Sequence, residues 1–253
     1  MSSDTKTVIK ALDILEIFLK TDGLLSLKEI SDSAKINLAT TYRLVSTLVN
    51  RGYLSHLDNK GGYSLGIKML DYNFAIRKNL KFIDFAYLSL SKLSKKQRAS
   101  VYLAVKDNDE SVVIEEVGID EELRINSPVG KRLKIHCTAG GKILMTSLSK
   151  EERKGYYERN PLIPFTEKTI TDIDQLENEI ERARVEGVAF DNEEYRMGIW
   201  AAAAPIINSN GNVIATAGIL IPKSRIRGQN TKRYATAIKS CVGEISQIVS
   251  RFM

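Results

Sequence analysis

The amino-acid sequence predicts an α+β fold in two domains that are joined by a helical linker. Residues 1–66 combine helical periodicity with a short hairpin pattern, and residues 67–79 keep helical periodicity without a proline. From residue 80 onwards, short strand patterns occur between amphipathic helices. Strands that are bracketed by helices and joined mostly by hairpins are typical of an antiparallel sheet. We therefore expect an N-terminal domain (1–66), a stiff linker (67–79) and a second domain (80–253) with an antiparallel sheet flanked by helices.

The composition is that of a globular protein without a membrane segment. At 253 residues, with 43% hydrophobic and 27% charged residues, the chain has room for two domains that each bury a core. No apolar run approaches the ~20 residues that span a bilayer, and the N-terminus lacks the layout of a signal peptide. The two cysteines are too few for a disulfide framework. We expect a cytoplasmic protein with no membrane partner, no cofactor and no structural metal.

Two short helices are predicted within residues 26–52. Ser26 and Glu29 form the S-x-x-E pattern of a capping box at the start of the first helix. Asn37 can cap the second helix, because its side chain can accept a hydrogen bond from a first-turn amide. The second helix has an inward stripe at helical spacing, formed by Thr41, Leu44, Val45 and Leu48. This pattern predicts a helix-turn-helix.

The opposite face of the second helix has groups that suit DNA. Small or hydrogen-bonding side chains can contact base edges and phosphates in a major groove. Those on this face are Ala39, Thr40, Tyr42, Arg43, Ser46, Thr47 and Asn50. No acid lies between residues 33 and 57, so a polyanion can approach without like-charge repulsion. On spacing alone, an ordinary helical hairpin with a solvated polar face fits equally well.

A hairpin pattern follows the helix pair directly. Residues 53–57 and 63–65 predict two short strands, and residues 58–62 favour the left-handed backbone of a tight turn. Lys60 lies at the tip, where it can contact a phosphate without selecting a base. Two helices followed by such a hairpin predict a winged helix-turn-helix.

At this point the sequence resembles a known family. The run from Leu12 to Leu15, the L-x-x-I-S run from Leu27, the segment Thr40 to Leu44 and the R-G-Y from Arg51 resemble the DNA-binding half of the IclR family of transcriptional regulators. The family more often has Pro-Lys-Ser where this chain has residues 37–39, Asn-Leu-Ala. The candidate DNA-contacting residues are Ser26, Lys35, Ala39, Thr40, Thr41, Tyr42, Arg43, Ser46, Thr47, Asn50 and Lys60.

A first helix is predicted over residues 6–20, before the helix-turn-helix. Its inward stripe is expected to be Val8, Leu12, Leu15 and Leu19. Further apolar residues remain, namely Ile9, Ile14, Ile17 and Phe18. The resemblance implies that this region also pairs two DNA-binding domains; the alternative is that all of these residues complete one three-helix core.

The second half of the chain carries three further family motifs. G-x-x-x-x-x-H-x-T-A-x-G-K over residues 130–142, D-N-E-E-Y-x-x-G over 191–198 and A-A-P over 203–205 resemble the GAF-like effector-binding half of the IclR family. Position by position, the resemblance implies that a small-molecule effector is bound by Ala139, Gly140, Asp191, Ile199, Ala201, Gly218 and Leu220. The alternative for residues 201–204 is a tightly packed buried strand.

The effector is expected to bear a carboxylate. Amides at a helix N-terminus near residues 138–141 would attract an anion through their unpaired donors and the helix dipole. Many relatives have Cys in place of Ala201, and some have hydroxyls in place of Gly218 and Leu220. We therefore expect a less polar and roomier pocket than in those relatives.

Catalysis is not expected from this sequence. His136 and Cys137 are neighbours on a predicted extended segment, so their side chains should point to opposite faces. Asp191, Glu193 and Glu194 could hold a cation, but such neighbouring acids are more often a solvated turn. Residues 140–142 lack the spacing of a phosphate-binding loop.

The sequence therefore predicts a transcriptional regulator. Its expected partners are double-stranded DNA with a near-palindromic operator, a small-molecule effector, and further copies of the chain in a homodimer or homotetramer. The alternative is a metabolite-binding or enzymatic domain whose winged helix mediates protein contacts.

Overall fold

The computed structural model describes residues 4–57, 61–119, 125–226 and 230–252. The chain divides into two compact units, Met1–Leu80 and Lys81–Met253. The first holds a helix-turn-helix with a hairpin, and the second holds an antiparallel sheet with helices packed on it. The predicted α+β fold with two domains is confirmed.

The first unit is a winged helix-turn-helix. Its elements are α1 (Lys6–Ile17), α2 (Leu27–Ala34), α3 (Leu38–Asn50), the strands β1 (Leu54–Leu57) and β2 (Gly62–Leu65), and α4 (Met69–Asn79). Both predicted caps are present: Ser26 and Glu29 form the capping box of α2, and the Asn37 side chain accepts from the Thr40 amide at the start of α3. Ile14, Ile30 and other apolar side chains form one small core.

The inward face of α1 differs from the prediction. Val8, Leu12 and Leu19 are 54%, 52% and 75% exposed, whereas Ile14 and Phe18 are buried. The prediction was wrong because apolar residues surround most of this helix, so their spacing alone does not select one face. An apolar surface on α1 is therefore exposed in the single chain.

The hairpin gains a third pairing partner that the sequence pattern did not show. Leu25, which lies just before α2, pairs with Tyr63 of β2, and their amides donate to each other's carbonyls at 3.0 and 2.8 Å. Residues 58–60, which include most of the predicted turn, lie outside the described ranges. The wing is thus hydrogen-bonded to the segment that enters the helix-turn-helix.

The second unit is built on one six-stranded sheet. In chain order its elements are α5 (Phe82–Gln97), β3 (Ser100–Asp107), β4 (Glu110–Val117), β5 (Arg132–Lys134), α6 (Ala139–Thr146), α7 (Lys150–Arg159), α8 (Ile173–Glu186), β6 (Ala189–Asn192), β7 (Ile199–Ile207), β8 (Val213–Pro222) and α9 (Asn230–Phe252). The strands run antiparallel in the order β5-β4-β3-β8-β7-β6. The hairpin pairs β3–β4 and β7–β8 meet at the centre, between β3 and β8.

Two segments differ from the predicted strands. The sequence pattern of residues 123–127 predicts a strand, but residues 125–127 are irregular, and residues 123–124 lie outside the described ranges. A single turn of 3-10 helix, Ile135–Cys137, connects β5 to α6, so His136 and Cys137 are not on an extended segment. Within the described ranges, no helix combines the length and apolar character needed to cross a bilayer.

Candidate functional site

The outward face of α3 carries most of the predicted DNA-contacting residues. Its exposed members are Ala39, Tyr42, Arg43, Thr47 and Asn50, and its half-buried members are Thr40 and Ser46. The helix contains no acidic residue, and its first turn is fixed by the Asn37 cap at 2.9 Å. This face can therefore approach a phosphate backbone without repulsion from its own carboxylates.

Thr41 does not belong to this face. Its side chain is fully buried, and its hydroxyl donates to the Asn37 carbonyl at 3.0 Å. The prediction that Thr41 contacts DNA is wrong, because the residue lies on the inward stripe of α3.

Two other predicted DNA-contacting residues, Ser26 and Lys35, lie at the two ends of α2. Ser26 is half-buried and holds the capping box, in which its hydroxyl contacts Glu29. Lys35 is exposed and ends α2 with a left-handed backbone, at φ 54°. Lys60 lies outside the described residues.

A cavity of about 50 Å³ opens in the second unit, beside the start of α6. Five of the seven predicted effector-binding residues line it, namely Ala139, Asp191, Ile199, Ala201 and Leu220. The other lining residues are Tyr102, Ile125, Asn126, Ser127, Lys131, Leu133, Thr138, Tyr195 and Arg196. The cavity therefore joins residues from the central strands, from α6 and from the turn after β6.

The two remaining predicted residues, Gly140 and Gly218, do not line the cavity because Tyr102 covers them. A Cβ atom at Gly218 would lie 2.3 Å from the Tyr102 ring, and one at Gly140 would lie 2.7 Å from its hydroxyl. Tyr102 is opposite Gly218 in the β3–β8 pairing. The Tyr102 ring therefore fills the space that the two glycines leave.

The donors at the start of α6 are partly engaged within the protein. The Gly141 amide donates to the Thr138 hydroxyl at 3.2 Å, and that hydroxyl donates to the Lys134 carbonyl at 3.1 Å. Burial raises the pKa of Tyr102, as does the nearby charge of Asp191, and a backbone hydrogen bond with Gly140 opposes the rise. These contacts reduce the number of amides that remain for a ligand carboxylate.

Asp191 places a buried carboxyl group in the cavity wall. It is 5% exposed, and its Oδ1 accepts from the Glu194 amide at 2.7 Å and from the Tyr195 amide at 3.4 Å. Burial raises the pKa of Asp191 to about 7; the Glu194 charge adds to the rise, while the two amides and Lys142 oppose it. This carboxyl group can therefore accept or donate a hydrogen bond near neutral pH.

The acidic turn after β6 is not solvated, contrary to the expectation for neighbouring carboxylates. Glu194 pairs with the buried Lys142 at 2.6 Å, and Glu193 pairs with Lys168 and accepts from the Gly198 amide at 2.9 Å. Among the described residues, no group of three or more His, Cys, Asp or Glu side chains has an arrangement that could hold a metal ion. The ion pairs of Glu193 and Glu194 hold the turn that follows Asp191.

Lys131 and Arg196 place two cations in the cavity wall that sequence reasoning missed. Arg196 is exposed, Lys131 is half-buried, and the Lys131 ammonium lies 5.5 Å from the centroid of the Tyr195 ring. The pKa of Lys131 is lowered, first by burial and then by the positive charge of Arg196. In the sequence, the only available signal was their position within the two family motifs.

His136 and Cys137 do not form a nucleophile–base pair. Burial raises the pKa of Cys137 to about 12, so the thiol stays protonated at neutral pH. His136 is buried, its Nε2 lies 3.2 Å from the Ile163 carbonyl, and burial lowers its pKa. Both residues belong to the packing between β5 and α6.

The winged helix-turn-helix and the cavity together define a DNA-binding regulator with a separate ligand-binding domain. A family model for the bacterial transcriptional regulator IclR C-terminal domain matches residues 74–247, and a model for the IclR helix-turn-helix domain matches residues 7–58. The chain belongs to the IclR family of transcriptional regulators.

Named relatives agree with this assignment. The transcriptional regulator KdgR of Escherichia coli is 27% identical over 240 residues, which cover 95% of this chain and 91% of the relative. The transcriptional repressor IclR of Escherichia coli is 23% identical over 247 residues, which cover 97% of this chain and 90% of the relative. As a member of this family, the chain is a transcriptional regulator.

Solved structures share the fold over nearly the whole chain. The crystal structure of the Thermotoga maritima IclR matches with a TM-score of 0.79 and 27% identity, covering 96% of this chain and 98% of that one. An IclR homolog from Microbacterium hydrocarbonoxydans, solved in complex with 4-hydroxybenzoate, matches with a TM-score of 0.85, 21% identity and coverage of 98% and 100%. At that identity the second match shows the fold alone.

Proposed function

We propose that paired copies of this chain bind a near-palindromic operator through α3, and that a small carboxylate-bearing effector in the cavity of the second unit controls this binding. The observation that carries the DNA-binding half is the acid-free outward face of α3, with the exposed Arg43 at its centre. Recognition helices of paired domains enter successive major grooves, so operator symmetry follows the symmetry of the pair.

Exposed apolar side chains in the first unit support the pairing. On α1, Val8, Ile9 and Leu12 are exposed although they are large and apolar. The helix α4 has no buried residue, and its Phe74 is 72% exposed. Apolar faces of this kind mark interaction surfaces, and a homodimer or homotetramer would cover them.

The effector half of the proposal rests on the cavity. Its wall combines apolar side chains with a few polar groups, which is the usual composition of a small-molecule site. Lys131 and Arg196 supply the positive charge that a carboxylate requires. The likeness in fold to a homolog that holds 4-hydroxybenzoate is consistent with an organic acid.

Variants of one exposed arginine test the DNA-binding half. Operator fragments are first selected from sheared genomic DNA by the wild-type protein, and their affinity is then measured over a range of salt concentrations. Arg43→Ala should weaken binding at least about tenfold and reduce the salt slope by about one, because a phosphate or base contact is lost. The matched control, Arg251→Ala, removes an exposed arginine from α9 and should bind like the wild type.

Two results would contradict this half of the proposal. Unchanged affinity and salt slope for Arg43→Ala would exclude α3 as the reading helix. Failure of the wild-type protein to retain any duplex DNA at low salt would exclude DNA binding through phosphate contacts altogether.

A further inference from the structure

We infer that contacts between the start of α4 and the end of α3 set the spacing of the two reading helices in the paired protein, with Lys68 and Tyr72 as the positioning residues. These contacts form the α3–α4 junction, which consists of Gly66, Lys68 and Tyr72 on one side and residues 51–53 on the other. The inference rests on the proposed function, in which paired copies bind an operator with two half-sites. It adds that the junction selects the distance between those half-sites.

Backbone contacts make up the first part of the junction. The Gly52 amide donates to the Val49 carbonyl at 2.9 Å, which holds Gly52 on the last turn of α3. The Tyr53 amide donates to the Leu48 carbonyl at 2.9 Å, and the Tyr53 carbonyl accepts from the Gly66 amide at 2.8 Å. A Cβ atom at Gly66 would lie 2.1 Å from the Gly52 carbonyl oxygen, so this approach requires a glycine. The segment that enters α4 is therefore packed directly against the end of α3.

Lys68 binds the C-terminal end of α3. Its Nζ donates to the carbonyl of Arg51, the C-cap residue of α3, at 3.1 Å. A positive charge at this end of a helix is favoured by the helix dipole. The same ammonium group lies 4.8 Å from the centroid of the Tyr53 ring, which is within the range of a cation–π interaction. Lys68 thus attaches the residue before α4 to both a helix end and an aromatic ring.

Tyr72 adds a contact one turn further along α4. Its hydroxyl shares a hydrogen bond with the Tyr53 hydroxyl at 2.5 Å, and the centroids of the two rings are 5.9 Å apart. Lys68 and Tyr72 are four positions apart, so they lie on the same side of the helix. Two contacts spaced along one side of a helix fix the direction of its axis, which a single contact would not do.

The conformation of α4 depends on such contacts. All 11 residues of this helix are described, and none of them is buried. A helix shorter than about 12–15 residues is only marginally stable in water without tertiary contacts. Lys68 and Tyr72 therefore contribute directly to the angle between α4 and α3.

The other side of α4 carries the apolar surface that a second copy would cover. Leu70 and Phe74 are 61% and 72% exposed. At 3.6 residues per turn, their mean direction differs by about 160° from that of Lys68 and Tyr72. A copy that packs on Leu70 and Phe74 is thus connected to α3 through the thickness of one helix. The distance between the two α3 helices of the pair then follows from the α3–α4 angle in each copy.

Operators with altered half-site spacing test this inference. Operator fragments are selected with the full-length wild-type protein, their half-sites are mapped by footprinting, and two base pairs are inserted between the half-sites. The insertion moves the half-sites about 7 Å apart and rotates them by about 70°. Wild-type affinity should fall at least about tenfold, because a pair with fixed spacing cannot engage both half-sites. For Lys68→Ala combined with Tyr72→Ala, the loss should be less than about threefold, because the two helices can adjust their spacing.

A matched control separates positioning from stability. Lys154→Ala combined with Tyr87→Ala removes the same two side-chain types from exposed positions, and Tyr87 is 46% exposed compared with 47% for Tyr72. This control should lose as much affinity on the longer fragment as the wild type does. If the alanine variant of the junction does not fold, Lys68→Met combined with Tyr72→Phe removes the polar contacts and keeps the shape of the side chains. A purely structural role would weaken binding to both fragments equally and leave the ratio of the two affinities unchanged.

The outcomes distinguish this inference from the proposed function. A wild-type protein that protects a single half-site, or that binds both fragments equally, would overturn the inference. So would a folded junction variant whose affinity ratio equals that of the wild type. Failure of the wild type to retain any duplex DNA at low salt would overturn the proposed function, and this inference with it.

Discussion

Position 218 requires a glycine, because a residue on the neighbouring strand occupies the space that a side chain would need. Tyr102 lies opposite Gly218 in the β3–β8 pairing, and its ring covers the glycine. A glycine in a strand lacks packing of its own, and a cross-strand aromatic ring can supply it. The pair thus packs the centre of the sheet, and the Tyr102 ring also lines the cavity.

Replacing this glycine should destabilise the second unit. In Gly218→Ala the new Cβ atom would lie 2.3 Å from the Tyr102 ring, so the ring must move in a packed environment. We expect a loss of about 1–3 kcal/mol in the free energy of unfolding, measured by urea denaturation. The double variant Gly218→Ala/Tyr102→Leu should lose less than the sum of the two single variants, because the clash is absent.

Gly243 provides a matched control. It is exposed in α9, and a Cβ atom there would meet nothing within 4 Å. Gly243→Ala should therefore stabilise the unit by about 0.5–1 kcal/mol through helix propensity. If Gly218→Ala were as stable as Gly243→Ala, the close packing of Tyr102 on Gly218 would be excluded.

Single cavity residues could be located from the sequence only in part. The motif positions Ala139 and Asp191 were predicted and do line the cavity. Tyr102 was missed because its effect depends on pairing with Gly218, a residue more than 100 positions away, and no sequence pattern specifies that register.

At the scale of elements, local signals predicted more than distant ones. The capping box at Ser26 and the Asn37 cap were both correct, because their chemistry is complete within four residues. The predicted inward face of α1 was wrong, because the side of this helix that is buried depends on how the helix packs against the rest of the unit. The buried ion pair between Lys142 of α6 and Glu194 likewise required knowledge of the tertiary fold.

Asp191, which lies in β6, should make the stability of the second unit depend on pH. Burial raises the pKa of this carboxyl group from an ordinary 3.8 to about 7 in the folded state. Between these values the folded state binds more protons than the unfolded state, so the free energy of unfolding decreases as pH rises. One titrating group can change the free energy of unfolding by at most about 1.4 kcal/mol per pH unit.

Asp191→Asn isolates this contribution. An asparagine oxygen can still accept from the amides of Glu194 and Tyr195, but the group cannot ionise. The variant should resemble the wild type near pH 4, gain relative stability as pH rises, and keep a constant advantage well above pH 7. Melting temperatures of both proteins across this range measure the effect; a difference that does not change with pH would show that Asp191 titrates normally.

At the scale of the whole molecule, the positive net charge and the apolar surface of α1 would both favour the proposed binding to an operator. The net charge of +6 favours association with DNA in general, whereas the outward face of α3 can supply selectivity. One winged helix reads only one half of a near-palindromic operator. Pairing through the apolar surface of α1 would double the number of contacts without requiring a new reading element.

Charged substitutions on α1 should therefore separate pairing from folding. Val8→Glu combined with Leu12→Glu places acids where the wild type exposes 54% and 52% of these side chains, so the single chain should still fold. Burying those acids in a chain–chain interface would be costly, and we expect a smaller assembly by sedimentation equilibrium and at least about tenfold weaker operator binding. The control Val185→Glu changes an apolar residue on α8 that is 81% exposed and should leave both measurements unchanged. An unchanged assembly together with unchanged operator affinity would show that α1 does not pair the chains.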